Sequence, residues 1–272
     1  MEKEEFLKKL QTEIKISKLS DYTVRNYLAA NKNLLEFNNK GPNQITQDDL
    51  KEYLAEKMGD KASVSTILFL AAIKFAYSSL LQKDPTAGIK RPKTEKKIPT
   101  VLTKEEVTKL IDSIENKKSK LILQLLYSSG LRVSEVVKIR KKDIDFAENT
   151  GWVREGKGKK DRMFILSEKL SKKLKKFTEK NLDWNYLFSK DKPLTTRNIQ
   201  KIIQLASKKA ELQKSVRPHT MRHSFATHLL DAGVDIRKIQ VLLGHSSIAT
   251  TQIYLQITSE QLKDIKNPLD SL

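Results

Sequence analysis

The chain has 272 residues, 38% of them hydrophobic and 31% charged, which is typical of a soluble globular protein with room for two domains. It has no cysteine, which excludes a disulfide framework and a thiolate metal site. No apolar run is expected to approach the length of a membrane span, and the start MEKEEFLKKL is too charged for a secretory signal. A cytoplasmic location is therefore expected.

Basic residues dominate the charge of the chain. Lys and Arg number 52 against 33 Asp and Glu, which gives a net charge of +19. Such an excess favours a polyanion partner, because neutralised phosphates release their condensed counterions. The alternative is a lysine-rich, solvated surface that aids solubility. Charge alone favours nucleic acid, but it separates neither DNA from RNA nor a binding protein from an enzyme.

Residues 1–90 are predicted to be entirely helical, with room for four or five helices. An amphipathic helix is predicted from Tyr22 to Phe37, and another begins after Thr46, where early acidic residues favour a helix N-terminus. The segment 63–81 carries the helical spacing of one buried face. The predicted buried stripe of that helix consists of Val64, Ile67, Leu68, Ala71, Ala72 and Phe75.

The segment IKRPKTEKKIPT has two prolines and five basic residues with little apolar content. This composition predicts an extended linker over residues 91–99, which could lie beside a phosphate backbone or serve only as a solvated hinge. After the linker, Thr103 and Glu106 form the capping box of a new helix.

Residues 100–272 are predicted to be mainly helical with one small antiparallel sheet. A helix ends at Gly130 and another follows in LRVSEVVKIR, while residues 143–166 form short β-like runs around a basic loop. Helices return from Ser167 onwards. Helix caps are expected at Gly233, Asp235 and Gly244. The predicted fold class is therefore mainly α in two domains, a helical N-terminal domain followed by an α+β domain.

Cutting a DNA backbone without a metal requires three kinds of group. A nucleophile attacks phosphorus in line, fixed cations stabilise the charge on the non-bridging oxygens, and an acid protonates the departing 5′ oxygen. Tyrosine suits the first task, because a phosphotyrosine ester retains the energy of the broken bond and needs no nucleotide cofactor. Arginine suits the second, since its planar fork can donate two hydrogen bonds to one phosphate.

The chain carries residues of these types at suggestive spacings. His219 and Arg222 share a helical face, and Lys157 lies between two glycines that let the backbone bend. The candidate site residues are Arg132, Lys157, His219, Arg222, His245 and Tyr254. Taken singly, an arginine is most often a surface charge and a tyrosine near a C-terminus is most often packing. Spacing alone therefore predicts only a plausible phosphate site.

His219 and His223 also have the i, i+4 spacing of a zinc pair. Thr220, however, occupies the place where a zinc protease carries glutamate, and no acidic third ligand stands out. No metal or other cofactor is therefore expected. His223 and His228 are interpreted as structural, since their helix must also bury apolar residues.

Four motifs and their order along the chain resemble the tyrosine recombinases, also called the phage integrase family. They are GLRVSE, GKGKKDR, HTMRHSFATHLL and LGHSSIATTQIY. Outside them, TVRNYLAANKNLLEF, ITQDDLKEYL and DPTAGIKRPKTEKKIPTVLTKEEV resemble the N-terminal domain and linker of the family, so the resemblance covers nearly the whole chain. The compact length most resembles the Xer branch, which includes the single-protein archaeal XerA type.

The resemblance implies a clamp that closes around a DNA duplex. Residues 1–90 would form a SAM-like core-binding domain, residues 91–99 the linker and residues 100–272 the catalytic domain. Arg132 and Arg222 match the arginines that hold the scissile phosphate, and Lys157 matches the lysine that protonates the leaving 5′ hydroxyl. His219 matches the HxxR histidine, a phosphate hydrogen-bond donor or a proton acceptor for the nucleophile. His245 matches the second phosphate-contacting histidine, and Tyr254 matches the nucleophile. Glu135 is expected to orient the pocket or to lie on the helix surface, and Gln256 stands where many relatives have histidine.

The activity implied is site-specific recombination through a 3′-phosphotyrosyl intermediate and a Holliday junction. The expected partners are two DNA sites and three further copies of the chain, which dock through the C-terminal helix opened by Thr258 and Gln261. In the Xer branch, the role would be resolution of chromosome dimers at a dif-like site on the nucleoid, and a DNA translocase enters as a further partner. The alternatives are an integrase of a small mobile element, a DNA-binding protein that no longer cuts, and a topoisomerase-like side reaction.

Overall fold

A computed structural model describes residues 1–93, 99–154, 161–245 and 247–254. The described residues fall into two compact units, one within Met1–Lys96 and the other within Lys97–Leu272. Each unit has its own apolar core.

The N-terminal unit is helical, as predicted. Its helices are α1 (Lys3–Ile16), α2 (Asp21–Asn38), α3 (Gln47–Met58) and α4 (Ser63–Leu81), with a short 3₁₀ turn at Pro42–Gln44. Thr46 caps α3 as expected, because its hydroxyl accepts a hydrogen bond from the backbone N–H of Asp49 at 3.3 Å. Helix α4 packs against α1 and α2.

The predicted buried stripe of α4 is out of phase. Val64 is 66% exposed and Leu68 37% exposed, and of the predicted stripe only Ala72 is fully buried. The residues of α4 that lie in the core are Phe69, Leu70, Ala72, Ile73, Ala76 and Tyr77. The physical reason is that α4 is apolar around most of its circumference, so periodicity predicts the helix without fixing which face α1 and α2 cover.

The expectation that no apolar run approaches a membrane span is also wrong. By length and composition alone, α4 is long and apolar enough to cross a bilayer. In the structure, this helix supplies core residues of the N-terminal unit, including Ile73 and Tyr77, which are 0% exposed.

The C-terminal unit is helical with one three-stranded sheet, as predicted. Its elements are α5 (Lys104–Asp112), α6 (Lys117–Ser129), α7 (Val133–Val136), β1 (Ile144–Asp145), β2 (Thr150–Val153), β3 (Arg162–Ile165), α8 (Glu168–Glu179), α9 (Thr196–Lys209), α10 (Pro218–Asp231), α11 (Ile236–Leu243) and α12 (Ala249–Gln252). The sheet is antiparallel in the order β1-β2-β3, and the pair Trp152 and Met163 fixes the register of β2 and β3. The helix predicted in LRVSEVVKIR is only the single turn α7.

Helices α6 and α10 pack along each other, and the C-terminal ends of α6 and α11 lie next to the candidate site residues. Helix α6 ends at Gly130, whose φ is +58°, and α11 ends at Gly244, whose φ is +63°. Both bends are in the left-handed region that glycine adopts most readily. Asp235 caps α11 as predicted, since its carboxylate accepts from the N–H of Arg237 at 2.8 Å.

Replacing Gly130 by alanine is expected to lower the free energy of unfolding by about 2–4 kcal/mol. The alanine would have to keep the positive φ of Gly130, and its Cβ would lie 2.4 Å from Phe225 Cδ1. Gly233→Ala is the matched control, because Gly233 also has a positive φ, +79°, and nothing lies within 4 Å of its added Cβ. That control should lose only about 1 kcal/mol in urea titrations. Equal losses in the two variants would contradict the packing argument.

Candidate active site

Four of the six candidate residues lie in or next to one cluster of helix ends. Arg132 directly precedes α7, Arg222 lies on α10, and His245 follows α11. Tyr254 follows α12 and packs with the C-terminal part of α10 and with α11. His219 lies near the exposed start of α10, while Lys157 lies outside the described residues.

Arg222 is the buried centre of the cluster. Its side chain is almost fully enclosed and donates to the backbone oxygens of Gly130, at 2.7 Å, and Leu243, at 2.6 Å. These carbonyls lie at the C-terminal ends of α6 and α11, where the helix dipoles favour a cation. Burial, followed by the nearby charge of Arg132, lowers the pKa of Arg222 to about 10. The guanidinium is therefore still cationic at neutral pH.

Arg132 is held against a buried carboxylate. Its Nη1 donates to Glu135 Oε1 at 2.9 Å, and its backbone N–H donates to Glu135 Oε2 at 2.7 Å. The side chain of Arg132 remains 21% exposed, whereas that of Glu135 is 7% exposed. Glu135 thus fixes the direction of an arginine that still faces solvent. Of the two positions expected for Glu135, in the pocket or on the helix surface, the structure shows the buried one in the pocket.

Arg162 completes this group and was missed by the sequence analysis. Its Nη1 and Nη2 donate to the two carboxylate oxygens of Glu135 at 2.8 and 2.6 Å, and its Nε donates to the Leu242 carbonyl at 3.2 Å. The motif GKGKKDR ends on this residue, which is the sequence signal that points to it. The close approach of Arg162 also explains Gly244, because a Cβ there would lie 2.6 Å from Arg162 Cδ.

The site is strongly cationic. Burial alone would raise the pKa of Glu135, but its hydrogen bonds and charge interaction with Arg162, and its bonds with Arg132, hold that pKa below the usual value. Among the described residues of the site, one ionised carboxylate therefore faces three guanidinium groups, those of Arg132, Arg162 and Arg222. The surplus of positive charge suits a bound phosphate.

His245 is neutral and its tautomer follows from its neighbours. Its Nε2 lies 2.9 Å from Arg222 Nη2, and its Nδ1 lies 2.9 Å from the hydroxyl of Thr251. Because a guanidinium can only donate, Nε2 accepts and the ring proton lies on Nδ1, which donates to Thr251. Burial, with the charges of Arg222 and Arg132, lowers the pKa of His245 to about 4. Thr251 is fully buried and was not singled out from the sequence.

Tyr254 is enclosed in the protein. It is 1% exposed, and its hydroxyl lies 3.1 Å from Nδ1 of His223. Burial raises the pKa of Tyr254, although the charges of Arg222 and Arg132 act in the opposite direction. Burial, together with the charges of His219 and Arg222, lowers the pKa of His223 to about 4. The interpretation of His223 as merely structural thus overlooked its contact with the candidate nucleophile.

The other two histidines differ in surroundings. His228 Nδ1 lies 2.8 Å from the Tyr127 hydroxyl, which makes it a packing residue, as expected. The His219 ring lies 6.2 Å from that of His223, measured between centroids, and is partly open to solvent. Partial burial and the charges of Arg222 and Arg132 lower the pKa of His219. Among the described residues, no group of three or more His, Asp or Glu could hold a metal ion.

The free energy of unfolding is expected to fall as the pH is lowered from about 6.5 towards 4. Folding lowers the pKa of all four histidines, that of His223 and His245 from 6.5 to about 4. Within that window the unfolded chain binds more protons than the folded chain. The stabilising contribution is thus complete above the unfolded pKa and is lost on acidification. Urea titrations across the window measure it, and a constant or rising free energy would contradict it.

Two family models match the chain. The model of the Phage integrase family covers residues 100–261, and the model of the Phage integrase, N-terminal SAM-like domain covers residues 6–86. A tyrosine recombinase of Pseudothermotoga lettingae is 33% identical over 268 residues, which cover 93% of this chain and 94% of the relative. The tyrosine recombinase XerA of Pyrococcus horikoshii is 35% identical over 268 residues, which cover 96% and 92%.

Solved structures agree with these matches. A crystal structure of XerA recombinase is 33% identical, covers 96% of each chain and has a TM-score of 0.57. A XerH site-specific recombinase bound to palindromic difH substrate, in a post-cleavage complex, shares the fold with a TM-score of 0.74 at 22% identity, over 89% of this chain and 78% of that one.

Fold and relatives together define the class, which is that of enzymes for site-specific recombination of DNA. The chain belongs to the phage integrase family, the tyrosine recombinases. The resemblance read from the sequence motifs is therefore confirmed, as is the predicted fold class.

Proposed function

We propose that this recombinase cuts and rejoins DNA strands through a 3′-phosphotyrosyl link on Tyr254. The observation that supports it most is the cluster around Arg222, where two arginines and a histidine from separate elements lie together and can bind one phosphate. Arg132 and Arg222 bind the non-bridging oxygens, and His219 contacts the same group. His245 holds Arg222 in the structure and donates to the phosphate once its ring proton moves from Nδ1, which faces Thr251, to Nε2. Glu135 and Arg162 keep Arg132 in position.

The strand exchange balances without a cofactor. Tyr254 Oη bonds to phosphorus as the bond to the 5′ oxygen breaks, the phenol proton passes to His219, and Lys157 protonates the 5′ oxygen. The 5′ hydroxyl of a second duplex then attacks the phosphotyrosine and gives its proton to Lys157, while the released Tyr254 oxygen takes back the proton from His219 and a new phosphodiester forms. Repetition on the other strands passes through a Holliday junction. The site needs no metal for this sequence, since guanidinium groups supply the positive charge.

The domains and partners belong to the same proposal. Residues 1–90 serve as the core-binding domain, residues 91–99 as the linker and residues 100–272 as the catalytic domain, on double-stranded DNA at the nucleoid in the cytoplasm. Four copies assemble on two sites. The proposed role is resolution of chromosome dimers at a dif-like site, with a DNA translocase as accessory partner, and relatives named XerA and XerD support it.

Covalent capture on DNA with a randomised centre tests the proposal and selects the target sequence in one experiment. Each duplex carries a nick close to the cleavage site. After cleavage, the short strand that bears the free 5′ hydroxyl dissociates, so the phosphotyrosyl link cannot be reversed. Sequencing DNA that stays on denatured protein should give two inverted half-sites, matching the two-fold symmetry of paired protomers. One chromosomal match indicates a dif-like site, whereas matches at the ends of a mobile element favour the alternative integrase role. Failure of wild-type protein to capture any DNA would indicate a silent DNA-binding protein.

Deleting residues 257–272 is expected to abolish pairing of two DNA sites. These residues, with the predicted capping box of Thr258 and Gln261, lie outside the described part of the chain. On the proposal they dock into a neighbouring protomer, so the truncated protein should still bind one duplex. Sedimentation with one and with two duplexes measures the difference. Unchanged recombination by the truncated protein would contradict this role.

A further inference from the structure

Helix α10 carries two histidines on one face at different depths. His219 is at the second residue of the helix and is partly open to solvent, while His223 is one turn further in. The His219 ring makes no hydrogen bond within the described residues, whereas His223 contacts Tyr254. Their ring centroids are 6.2 Å apart, about one helical turn. This face of α10 therefore carries two imidazole rings along the helix axis, and each is a possible hydrogen-bond partner for a hydroxyl.

The Tyr254 hydroxyl occupies the deeper position. Its oxygen lies 3.1 Å from His223 Nδ1, and the two rings lie 5.7 Å apart with a tilt of 56°. Apolar side chains from α10 and α11 enclose the ring, among them Phe225 and Leu243. Because Tyr254 is only 1% exposed, the phosphorus atom of a DNA strand bound at the protein surface cannot reach its hydroxyl in this position.

Two of the basic groups that would hold a phosphate are open to solvent: Arg132 is 21% exposed, and His219 lies at the open end of α10. Arg222, at 2% exposed, is nearly as enclosed as Tyr254, so a phosphate can enter only from the side of Arg132 and His219. In-line attack needs the nucleophilic oxygen about 3–3.5 Å from phosphorus. Tyr254 must therefore move towards that open side before it reacts, and His219 lies one helical turn further out on the same face of α10.

We propose that His223 is a positioning residue, which holds the Tyr254 hydroxyl in the DNA-free protein. When a phosphate binds, the hydroxyl leaves His223 and moves towards His219. The inference rests on the proposed function of Tyr254 as nucleophile and adds a residue that controls where that nucleophile waits. The segment that must shift is short, since α12 comprises only Ala249–Gln252.

The protons in this pair agree with a holding role. A phenol is a stronger acid than a neutral imidazole N–H, so the stable arrangement has Tyr254 donating to the lone pair of Nδ1. The lowered pKa of His223 keeps that lone pair available, and the raised pKa of Tyr254 keeps its proton. The buried pair is thus a neutral hydrogen bond and leaves the phenol unreactive.

The test compares two substitutions of His223 in the full chain. His223→Leu fills the space but accepts no hydrogen bond, whereas His223→Asn offers an amide oxygen close to the place of Nδ1. The first readout is nitration of Tyr254 by tetranitromethane without DNA. The chain has seven tyrosines and no cysteine, so no thiol competes and the site is read by peptide mapping. Tryptic cleavage after Lys238 and Lys263 isolates a peptide whose one tyrosine is Tyr254.

His223→Leu is expected to raise the rate of Tyr254 nitration by about 2- to 12-fold, the worth of one neutral hydrogen bond, while His223→Asn stays within about twofold of wild type. The rate of single-turnover capture on a selected duplex should rise in parallel in His223→Leu. Unchanged nitration in His223→Leu, or equal effects of the two substitutions, would overturn the proposal. So would a capture rate that falls by about 100-fold with unchanged nitration, since that result would make His223 the base of the reaction.

The two readouts keep this inference apart from the proposed function. Nitration needs no DNA and reports only where the hydroxyl lies. If wild-type protein captures no DNA but nitration responds as expected, the holding contact stands and the strand-transfer role fails. If capture works but nitration does not respond, the positioning role alone is wrong.

Discussion

Replacing Tyr254 by phenylalanine is expected to reduce covalent capture of DNA by about 10⁴-fold or more, because no other oxygen can take its place at phosphorus. The ring, which lies in the apolar cluster of α10 and α11, is retained. The substitution removes the hydroxyl and with it the hydrogen bond to His223. The free energy of unfolding should therefore change by no more than about 1.5 kcal/mol.

Tyr127→Phe is the matched control for that substitution. The Tyr127 hydroxyl also pairs with a histidine in the same unit, at 2.8 Å from His228 Nδ1. The control removes a comparable hydrogen bond and should leave capture within about threefold of wild type. Capture by Tyr254→Phe at a tenth of the wild-type level or more would show that another residue makes the link.

Replacing Arg222 by lysine is expected to lower the single-turnover capture rate by about 10²- to 10³-fold. The guanidinium bridges the carbonyls of Gly130 and Leu243 and contacts His245. These contacts fix the direction in which its other N–H groups point. One ammonium group cannot reach all of these acceptors and also present two donors to a phosphate. The enzyme should still bind DNA, because most of its positive charge lies elsewhere.

Arg140→Lys serves as the control for loss of a guanidinium. Arg140 is exposed, and its guanidinium lies 5.6 Å from the Tyr186 ring centre, away from the cluster around Arg222. Its substitution should leave capture within about threefold of wild type. A capture rate for Arg222→Lys similar to that of this control would contradict the assignment of Arg222 to the phosphate.

Residue types at helix ends could be predicted well from the sequence. Gly130 and Gly244 were expected to end or follow helices, and the structure shows that these ends bring Arg132 and His245 next to Arg222. Arg132 and Arg222 are far apart in sequence, so their proximity was implied by family resemblance and not by spacing. Local signals are strong here because caps and left-handed turns depend on a few adjacent residues.

Tertiary choices could not be predicted in the same way. The phase of α4 was wrong because several of its faces are apolar, and Arg162 was missed because its partner Glu135 lies on another element. The contact between Tyr254 and His223 has the same origin, since it joins two segments 31 residues apart through a single hydrogen bond. Such pairs follow from packing, for which a single sequence carries no periodic signal.

The most direct test of the account is to locate the DNA on the protein. Wild-type protein captured on a selected nicked duplex is digested with nuclease and trypsin, and the peptides are sequenced by mass spectrometry. We expect a nucleotide, joined through its 3′ phosphate, on Tyr254 in the peptide of residues 239–263. A nucleotide on any other residue, or a link through a 5′ phosphate, would contradict the account.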